Sequence, residues 1–432
     1  MRIALLTMFN TLSPTYSVVS IVKEQVEMFL SAGHTISILV TERCVQDGAS
    51  GIFLDSRIEW GFITNSLDGQ PIRWYDYCNP EQQLHPTFNR EVTLTANDFV
   101  RHLQNVDLCI LHDILYQGLH YVHNIAIRMA QKQLPSLRFI AFTHSKPTLP
   151  PRTIGPLQQA RFCPMPYTLF TYPTHSGLSL LATQYHVPES RCRLVNHSLS
   201  LLAYLSPEVQ SLHEAINLLD SEILIIYPAR LTRSKGFEKI AKLAGALSPF
   251  VSDSIKIVFC DTFSPDSDAT TYKQQIRADG QSFGMLPEHI YFISDYSFPK
   301  GLSRQAVLDL FSLSNLFICP SFSESFGLTV LEAASRGNLL VLNETVDSLY
   351  ELGQTLGSYF MAWEGLNRHI TKPAYIPNER AYYTHHAELI FFELTHNPVL
   401  RAKTQTRLRY NPSWIYKNQL EPLLESALNL SE

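Results

Sequence analysis

A chain of 432 residues exceeds the length at which one hydrophobic core keeps growing, so two domains of about 200 residues each are expected. Hydrophobic residues make up 45% and aromatic residues 11%, enough for two cores, while only 17% are charged and the net charge is −5, which leaves no basic field for general nucleic-acid binding. The seven cysteines are scattered, odd in number and free of C-x-x-C spacing, which speaks against a disulfide frame or a zinc site and for a reducing, cytoplasmic setting.

Met1 to Met8 is apolar after a single Arg, too short for a signal sequence, and reads as a first strand. Nowhere do about eighteen apolar residues run together, so nothing is expected to span a membrane; peripheral attachment stays open. After a Ser, Thr and Pro loop from Asn10 to Ser17, Val18 to Ala32 repeats apolar residues every three or four positions and stops at Gly33. Thr35 to Thr41 is the second strand. This βαβ order predicts a parallel sheet with a ligand-facing loop after the first strand. That loop lacks the glycine-rich dinucleotide fingerprint, so no nicotinamide or flavin cofactor is expected.

Gln46 to Asn97, rich in turn residues and aromatics (Trp60, Trp74, Tyr75, Tyr77), reads as an insertion or irregular strands. Val106 to Leu111 is a strand running into His112-Asp113, and Gln117 to Lys132 is helical. Leu137 to Phe142 is a strand ending in Thr143-His144-Ser145-Lys146, so two strands end on a histidine. Six prolines between Pro147 and Pro166 stiffen a loop carrying Arg152 and Arg161. It fits equally an acceptor-pocket wall whose arginines read an acidic group and a rigid surface connection. Leu169 to Tyr172, a helix from Ser176 to Tyr185 and Arg193 to Val195 complete this half.

Leu201 to Asp220 is less ordered and separates the halves. Strands at Ile223 to Tyr227, Ile255 to Cys260, Ile290 to Ile293, Leu316 to Cys319 and Leu339 to Leu342 then alternate with helical patterns, a second doubly wound sheet. The expected division is 1–205, 206–410 and a C-terminal helix within 411–432 that packs back on the first domain. The fold class is α/β, two Rossmann-like doubly wound domains facing across a cleft.

From Leu316 to Gly337 the chain reads as strand, polar loop and helix, with the helix start at the carboxyl end of a buried strand. Ligands of open α/β sheets bind there, and free helix N-terminal amides attract phosphate. Glu324 in the loop and Glu332 on the helix flank this start with seven residues between them. After the first strand of the second half, Tyr227-Pro-Ala-Arg-Leu-Thr-Arg-Ser-Lys-Gly places Arg230 and Lys235 in the corresponding loop, Arg as a planar fork and Lys as a point charge for phosphate. Together with the backbone of Ser325, Phe326, Gly327, Leu328 and Thr329 they outline a diphosphate site. Carboxylates beside a diphosphate need hydroxyl donors, and a nucleotide sugar supplies them: a ribose diol for Glu332, a hexose for Glu324.

Arg-x4-Lys-Gly after a strand, followed about ninety residues later by Glu-Ser-Phe-Gly-Leu-Thr-Val-Leu-Glu-Ala-Ala, resembles the family 4 retaining glycosyltransferases (glycosyl transferases group 1) of the GT-B fold. The resemblance implies a hexosyltransferase that is retaining and metal-independent and takes a nucleotide-diphospho-sugar as co-substrate, with no further cofactor, and an unidentified acceptor. It implies that Arg230 and Lys235 bind the donor diphosphate and stabilise the leaving group, that Glu324 lies by the donor sugar, and that Glu332 binds the ribose. The family's catalytic-site histidine corresponds to His112; Thr15, Tyr16, His144, Lys146 and Arg152 fall on the acceptor side. The chain departs from the family where Thr11 to Ser17 replaces a Gly-Gly loop, where Val195-Asn196-His197 replaces a Pro-Asn-Gly turn, and where Asn343 to Asp347 replaces a glycine pair. A nucleotide-sugar epimerase or hydrolase of this fold, and a catalytically silent nucleotide-sugar-binding protein, remain as alternatives.

Several residues have simpler expectations. His120 and His123 share a helix face without a third metal ligand, and His385-His386 reads as exposed. Asp266-Ser-Asp268 reads as a turn rather than a metal-holding pair, and Arg407 and Arg409 read as a solvated face.

Overall fold

A computed structural model describes residues 1–45, 49–72, 84–150, 159–262, 268–367, 370–372 and 378–431. It divides into two compact units, Met1–Leu199 with Pro412–Glu432, and Ser200–Asn411.

Unit 1 is built on β1 (Arg2–Leu6), α1 (Ser17–Ser31), β2 (Thr35–Thr41) and β3 (Ile58–Ile63), followed by a minimal antiparallel hairpin, β4 (Ser66–Leu67) and β5 (Gln70–Pro71). It continues through α2 (Phe88–Leu103), β6 (Leu108–His112), α3 (Tyr121–Gln133), β7 (Arg138–Phe142), β8 (Thr168–Tyr172), α4 (Leu178–Tyr185) and β9 (Cys192–Leu194). Its seven-stranded sheet has the order β3-β2-β1-β6-β7-β8-β9, and every pairing is parallel. A parallel sheet covered on both faces buries both sets of side chains, which is why β6 is buried at all five positions. One core, with Ala4, Leu6, Cys109 and Leu111, lies under α2, α3 and α4. The other, with Ile3, Leu5, Leu108 and Ile110, takes α1 and the C-terminal segment, whose Ile415, Leu420, Leu423 and Leu424 are buried in it. That segment is α13 (Pro412–Ile415), a π-turn at Tyr416–Leu420 and α14 (Glu421–Leu428), and Tyr416 Oη bonds His34 Nε2 at 2.9 Å.

Unit 2 runs α5 (Pro207–Ile216), β10 (Ile223–Arg230), α6 (Phe237–Leu247), β11 (Ile255–Thr262), α7 (Ala269–Phe283), β12 (Ile290–Phe292), α8 (Arg304–Leu313), β13 (Leu316–Cys319), α9 (Leu328–Ser335), β14 (Leu339–Asn343), α10 (Asp347–Leu356) and β15 (Tyr359–Met361). A short hairpin, β16 (Gly365–Asn367) with β17 (Ile370–Lys372), precedes α11 (Glu379–His396) and α12 (Pro398–Arg409). The six-stranded sheet has the order β12-β11-β10-β13-β14-β15, again all parallel. In both sheets the strand order reverses beside the first strand, between β1 and β6 and between β10 and β13. Each unit is therefore a doubly wound Rossmann-like α/β layer with a crevice at that switch point.

Four expectations change. Gln46 to Asn97 is not irregular throughout: β3 pairs in register with β2 from Ile36↔Ile58 to Thr41↔Ile63, and α2 buries Phe88, Val92, Ala96, Phe99 and Leu103 on one face. Trp74, Tyr75 and Tyr77 lie outside the described residues. The segment from Leu201 to Asp220 holds α5, with Pro207 in its first turn and Val209, Leu212 and Ile216 buried. Arg407 is not a solvated cation: it is 1% exposed and donates to the carbonyls of Leu313 (2.6 Å), Ser221 (2.6 Å) and Glu222 (3.1 Å), tying α12 to the end of α8 and the residues leading into β10. His386 is half-buried and bonds Tyr359 Oη at 2.6 Å. Among the described residues no helix is long and apolar enough to cross a membrane.

Candidate functional site

The crevice of unit 2 opens because β10 and β13 meet only at Ile225↔Leu316, while β10 stays paired with β11 to Arg230↔Thr262. Pro228 has no N–H to give a ladder, and Pro320 ends β13. The two loops that leave these strands are joined from below by Tyr227. Its buried hydroxyl donates to the carbonyl of Lys235 at 2.9 Å and lies 3.2 Å from Ser321 Oγ. Phe322 N–H donates to Ser234 O at 2.8 Å. Gly236 completes the join: at φ +67 it turns the chain into α6, and a Cβ there would stand 3.1 Å from Cγ and from the carbonyl oxygen of Pro320. Local sequence makes each turn, and packing brings them together.

Lys235 Nζ bonds Glu324 Oε1 at 2.5 Å, so the second cation of one motif and the first carboxylate of the other are a half-buried ion pair. Ser348 of α10 donates to the Glu324 carbonyl at 2.7 Å and holds that loop. Gly327, at φ +92, begins α9 without a side chain to cap its amides. Such an uncapped start leaves N–H donors for an anion. Ser325, Phe326 and Leu328 are exposed around it, the Phe ring at 54%, and Thr329 is half-buried. Glu332 lies one turn on, with a side chain only 12% exposed, and accepts from Arg304 Nε of α8 at 2.9 Å. Arg230 is exposed at the end of β10 and makes no ion pair among the described residues. Five predicted groups, Arg230, Lys235, Glu324, the α9 start and Glu332, thus surround one switch point within unit 2.

In unit 1 the two strand-end histidines are partners. His112 Nδ1 lies 3.0 Å from His144 Nε2 with the rings nearly parallel, and His197 stacks on His144 at 5.6 Å between centroids. His112 is 2% exposed; burial, reinforced by the charges of His144 and His197, lowers its pKa well below the usual histidine value. Burial likewise lowers His144 to about 4. Asp113, held at φ +60, accepts the His144 N–H at 2.8 Å and so splices the loops after β6 and β7. Its own pKa is raised by burial, against the hydrogen bonds it accepts from His144, Gln117 and Ser145. Tyr16, exposed after β1, has its pKa raised by partial burial and by the Asp113 charge. Thr15 bonds Ser13 Oγ at 2.8 Å, and Lys146 is exposed.

Arg152 lies outside the described residues. Arg161 is tied into unit 1: its Nε donates to Tyr116 O at 2.6 Å and its guanidinium lies 5.2 Å from the Tyr116 ring. Among the described residues no three His, Cys, Asp or Glu side chains are placed to hold a metal ion.

Sequence reasoning missed Arg304, His197, Tyr227 and Asn343 as parts of these sites. Arg304 carried no signal, since a cation at a helix start is ordinarily solvated. His197 was visible in the Val195-Asn196-His197 turn but lacked a known neighbour. Asn343, fully buried, donates to the carbonyls of Ser321 and Glu364 (3.0 Å each), and its Oδ1 accepts from Thr345 Oγ1 (2.9 Å) and Trp363 N (3.1 Å). It is the strut beneath the Glu324 loop, at the end of β14.

Residues 209–351, which contain both motif loops, match the family model described as "Glycosyl transferases group 1". No curated protein sequence matches the chain. Among solved structures the chain is similar over its full length to a glycosyltransferase from Rickettsia africae (16% identity, 100% of this chain and 99% of that one, TM-score 0.37). It is similar to a sucrose-phosphate synthase from Thermosynechococcus elongatus (12%, 100% of both chains, TM-score 0.37) and to the Anabaena protein HepE in complex with UDP-glucose (12%, 98% and 100%, TM-score 0.34). These identities and scores are too low to transfer an activity.

Proposed function

We propose that this protein is a retaining glycosyltransferase of the GT-B fold that moves a hexose from a nucleotide-diphospho-sugar to an acceptor, without a metal ion. The observation that carries the reading is the switch point of unit 2, where Arg230, the Lys235–Glu324 pair, the uncapped α9 start and Glu332 lie together inside a segment matching a glycosyltransferase family model. The diphosphate lies against the α9 amides with Arg230 and Lys235 as counter-charges, and Glu332 accepts from the ribose hydroxyls. Without ligand Lys235 is held by Glu324, so the arriving diphosphate competes for Nζ and frees Glu324 to accept from the hexose.

As the bond from the anomeric carbon to the diphosphate oxygen breaks, negative charge grows on the leaving group and positive charge on the sugar. The two cations oppose the first, and the acceptor hydroxyl adds on the same face, passing its proton to the departing diphosphate. No carboxylate is assigned as a covalent nucleophile. Acceptor-side chemistry falls to unit 1, with His112, His144, Thr15, Tyr16, Lys146 and Arg152. The setting in this reading is cytoplasmic.

The test is a thermal-shift screen of nucleoside diphosphates and their sugars, followed by turnover with an acceptor panel. A donor at a hundred times its dissociation constant stabilises by about 2.7 kcal/mol. Lys235→Ala is expected to lower turnover by about 10²–10³, the usual cost of losing one preorganised charge donor. Donor hydrolysis as fast without acceptor as with one identifies a hydrolase instead, and binding with no product across the panel identifies a silent binder.

A further inference from the structure

Arg233 is not accounted for by a two-cation diphosphate site. It sits in the same turn as Lys235, yet its side chain leaves the loop toward α7, whereas Lys235 reaches Glu324. The Arg233 guanidinium lies 4.8 Å from the centre of the Tyr272 ring, and its Nη1 donates to Gln275 Oε1 at 3.0 Å. Tyr272 is in turn fixed, buried with its hydroxyl donating to Glu238 Oε2 at 2.6 Å. Arg233 is thus oriented by a ring and a neutral amide and pairs with no carboxylate among the described residues. Its positive charge is held in place but not cancelled, and side-chain N–H groups remain for a ligand.

The space in front of it is a cavity of about 560 Å³ between the β10–α6 loop and the first turn of α7. That size falls within the roughly 300–1,000 Å³ of small-molecule sites. Arg230, Arg233 and Lys235 line it with the hydroxyl-bearing Thr232, Ser234 and Thr271, and no lining residue comes from α9 or the Glu324 loop. One carboxylate, Asp268, also borders it. That group is committed to the start of α7, where it accepts from Thr271 N at 3.3 Å and Thr271 Oγ1 at 2.5 Å, and these bonds keep its pKa below the usual carboxylate value. The side of the cavity favourable to an anion is therefore that of Arg233, away from Asp268.

We propose that the Arg233 side of this cavity is a second anion subsite, adjoining the Arg230 and Lys235 given above to a donor diphosphate, and that it takes a phosphate monoester, either a sugar phosphate or free phosphate, in addition to that diphosphate. The guanidinium fork of Arg233 binds two phosphate oxygens, and the Thr232 and Ser234 hydroxyls donate to the remaining ones. The volume beyond a single phosphate accommodates a sugar.

The experiment is calorimetric titration of the full chain with glucose 6-phosphate and with inorganic phosphate, each with and without saturating UDP. Both probes are expected to bind with UDP present, and Arg233→Ala to weaken them by at least about tenfold while leaving UDP affinity unchanged. Arg233→Lys, which keeps the charge and loses the fork, falls between. Tighter binding of glucose 6-phosphate identifies a sugar phosphate as the occupant, and equal binding identifies the phosphate ion. Displacement of either probe by UDP, absence of binding by both, or unchanged affinities in Arg233→Ala overturns the proposal. Failure of UDP to bind while Arg233-dependent phosphate binding persists removes the donor-site reading and leaves this one standing. Arg233 is exposed, and equal unfolding temperatures of variant and parent confirm that the fold is intact.

Discussion

Replacing Gly236 with Ala tests whether the two donor-site loops work as one piece. Gly236 and Gly337 share a φ of +67, but they differ in surroundings. A Cβ on Gly236 meets Pro320 Cγ and the Pro320 carbonyl oxygen at 3.1 Å, whereas a Cβ on Gly337 meets nothing within 4 Å. An L-residue in the left-handed region costs about 1–2 kcal/mol, the whole expected effect of Gly337→Ala. The contact with Pro320 backbone adds roughly 1–2 kcal/mol to Gly236→Ala, the lower range of overpacking costs. The entropy that Ala removes from the unfolded chain is common to both and cancels in the comparison. At about 2–4 °C per kcal/mol for a unit of this size, Gly337→Ala lowers Tm by roughly 2–8 °C and Gly236→Ala by roughly 4–16 °C. Scanning calorimetry measures both. In the same samples, UDP titration is expected to show about tenfold weaker binding in Gly236→Ala only, because the displaced turn carries Lys235 away from the α9 start where the diphosphate lies. Equal Tm losses with unchanged UDP affinity in both variants would refute the coupling of the loops.

Glu332→Ala is expected to weaken nucleotide binding about tenfold, and the loss should shrink for a 2′,3′-dideoxy nucleotide, since that ligand has no diol to lose; an equal loss on both ligands assigns Glu332 another role. Arg304→Ala, which unpins the Glu332 carboxylate, is expected to weaken the same binding several-fold, read by the same titration. Because burial holds His144 near 4 while the unfolded chain titrates near 6.5, the unfolded state binds more protons between those values. Stability of unit 1 is therefore full above about pH 6.5 and falls as the pH drops toward 4; urea unfolding across that range should show a shallower slope for His144→Gln, and an unchanged slope places the titration elsewhere. Arg407→Ala strands the carbonyls of Leu313 and Ser221, while that of Glu222 keeps Asn315 Nδ2 at 2.8 Å, and is expected to destabilise unit 2 by roughly 2–6 kcal/mol, measured by denaturant unfolding; a loss under about 1 kcal/mol would mean that water replaces the side chain.

The elements most legible in the sequence were those whose pattern is local. β13, stopped by Pro320, and β2 stand where the apolar runs place them, and α1 differs from its reading by one residue at each end. α2 and α5 escaped notice because their buried residues recur at helical spacing among many polar ones, and only packing against a sheet reveals which face is apolar. Arg407 went the same way: a cation in a polar helix reads as solvated until the carbonyls that surround it are known. The ion pair of Lys235 with Glu324 spans 89 positions of chain, and that of Arg304 with Glu332 joins two helices, so neither is a property of any local window.

Residue type and spacing alone determined that the chain forms alternating strand and helix units, and that Arg230, Lys235, Glu324 and Glu332 follow strands where an open sheet binds ligands. Those are short-range facts, set by backbone periodicity, proline stops and the few residues of each turn. The tertiary structure decided which strands are neighbours, and with them which loops share a switch point. It also decided that Lys235 is neutralised while Arg233 is not, and that buried His112 is the partner of half-buried His144. Charge pairing and burial depend on distances across the sheet edge, which the order of residues does not contain.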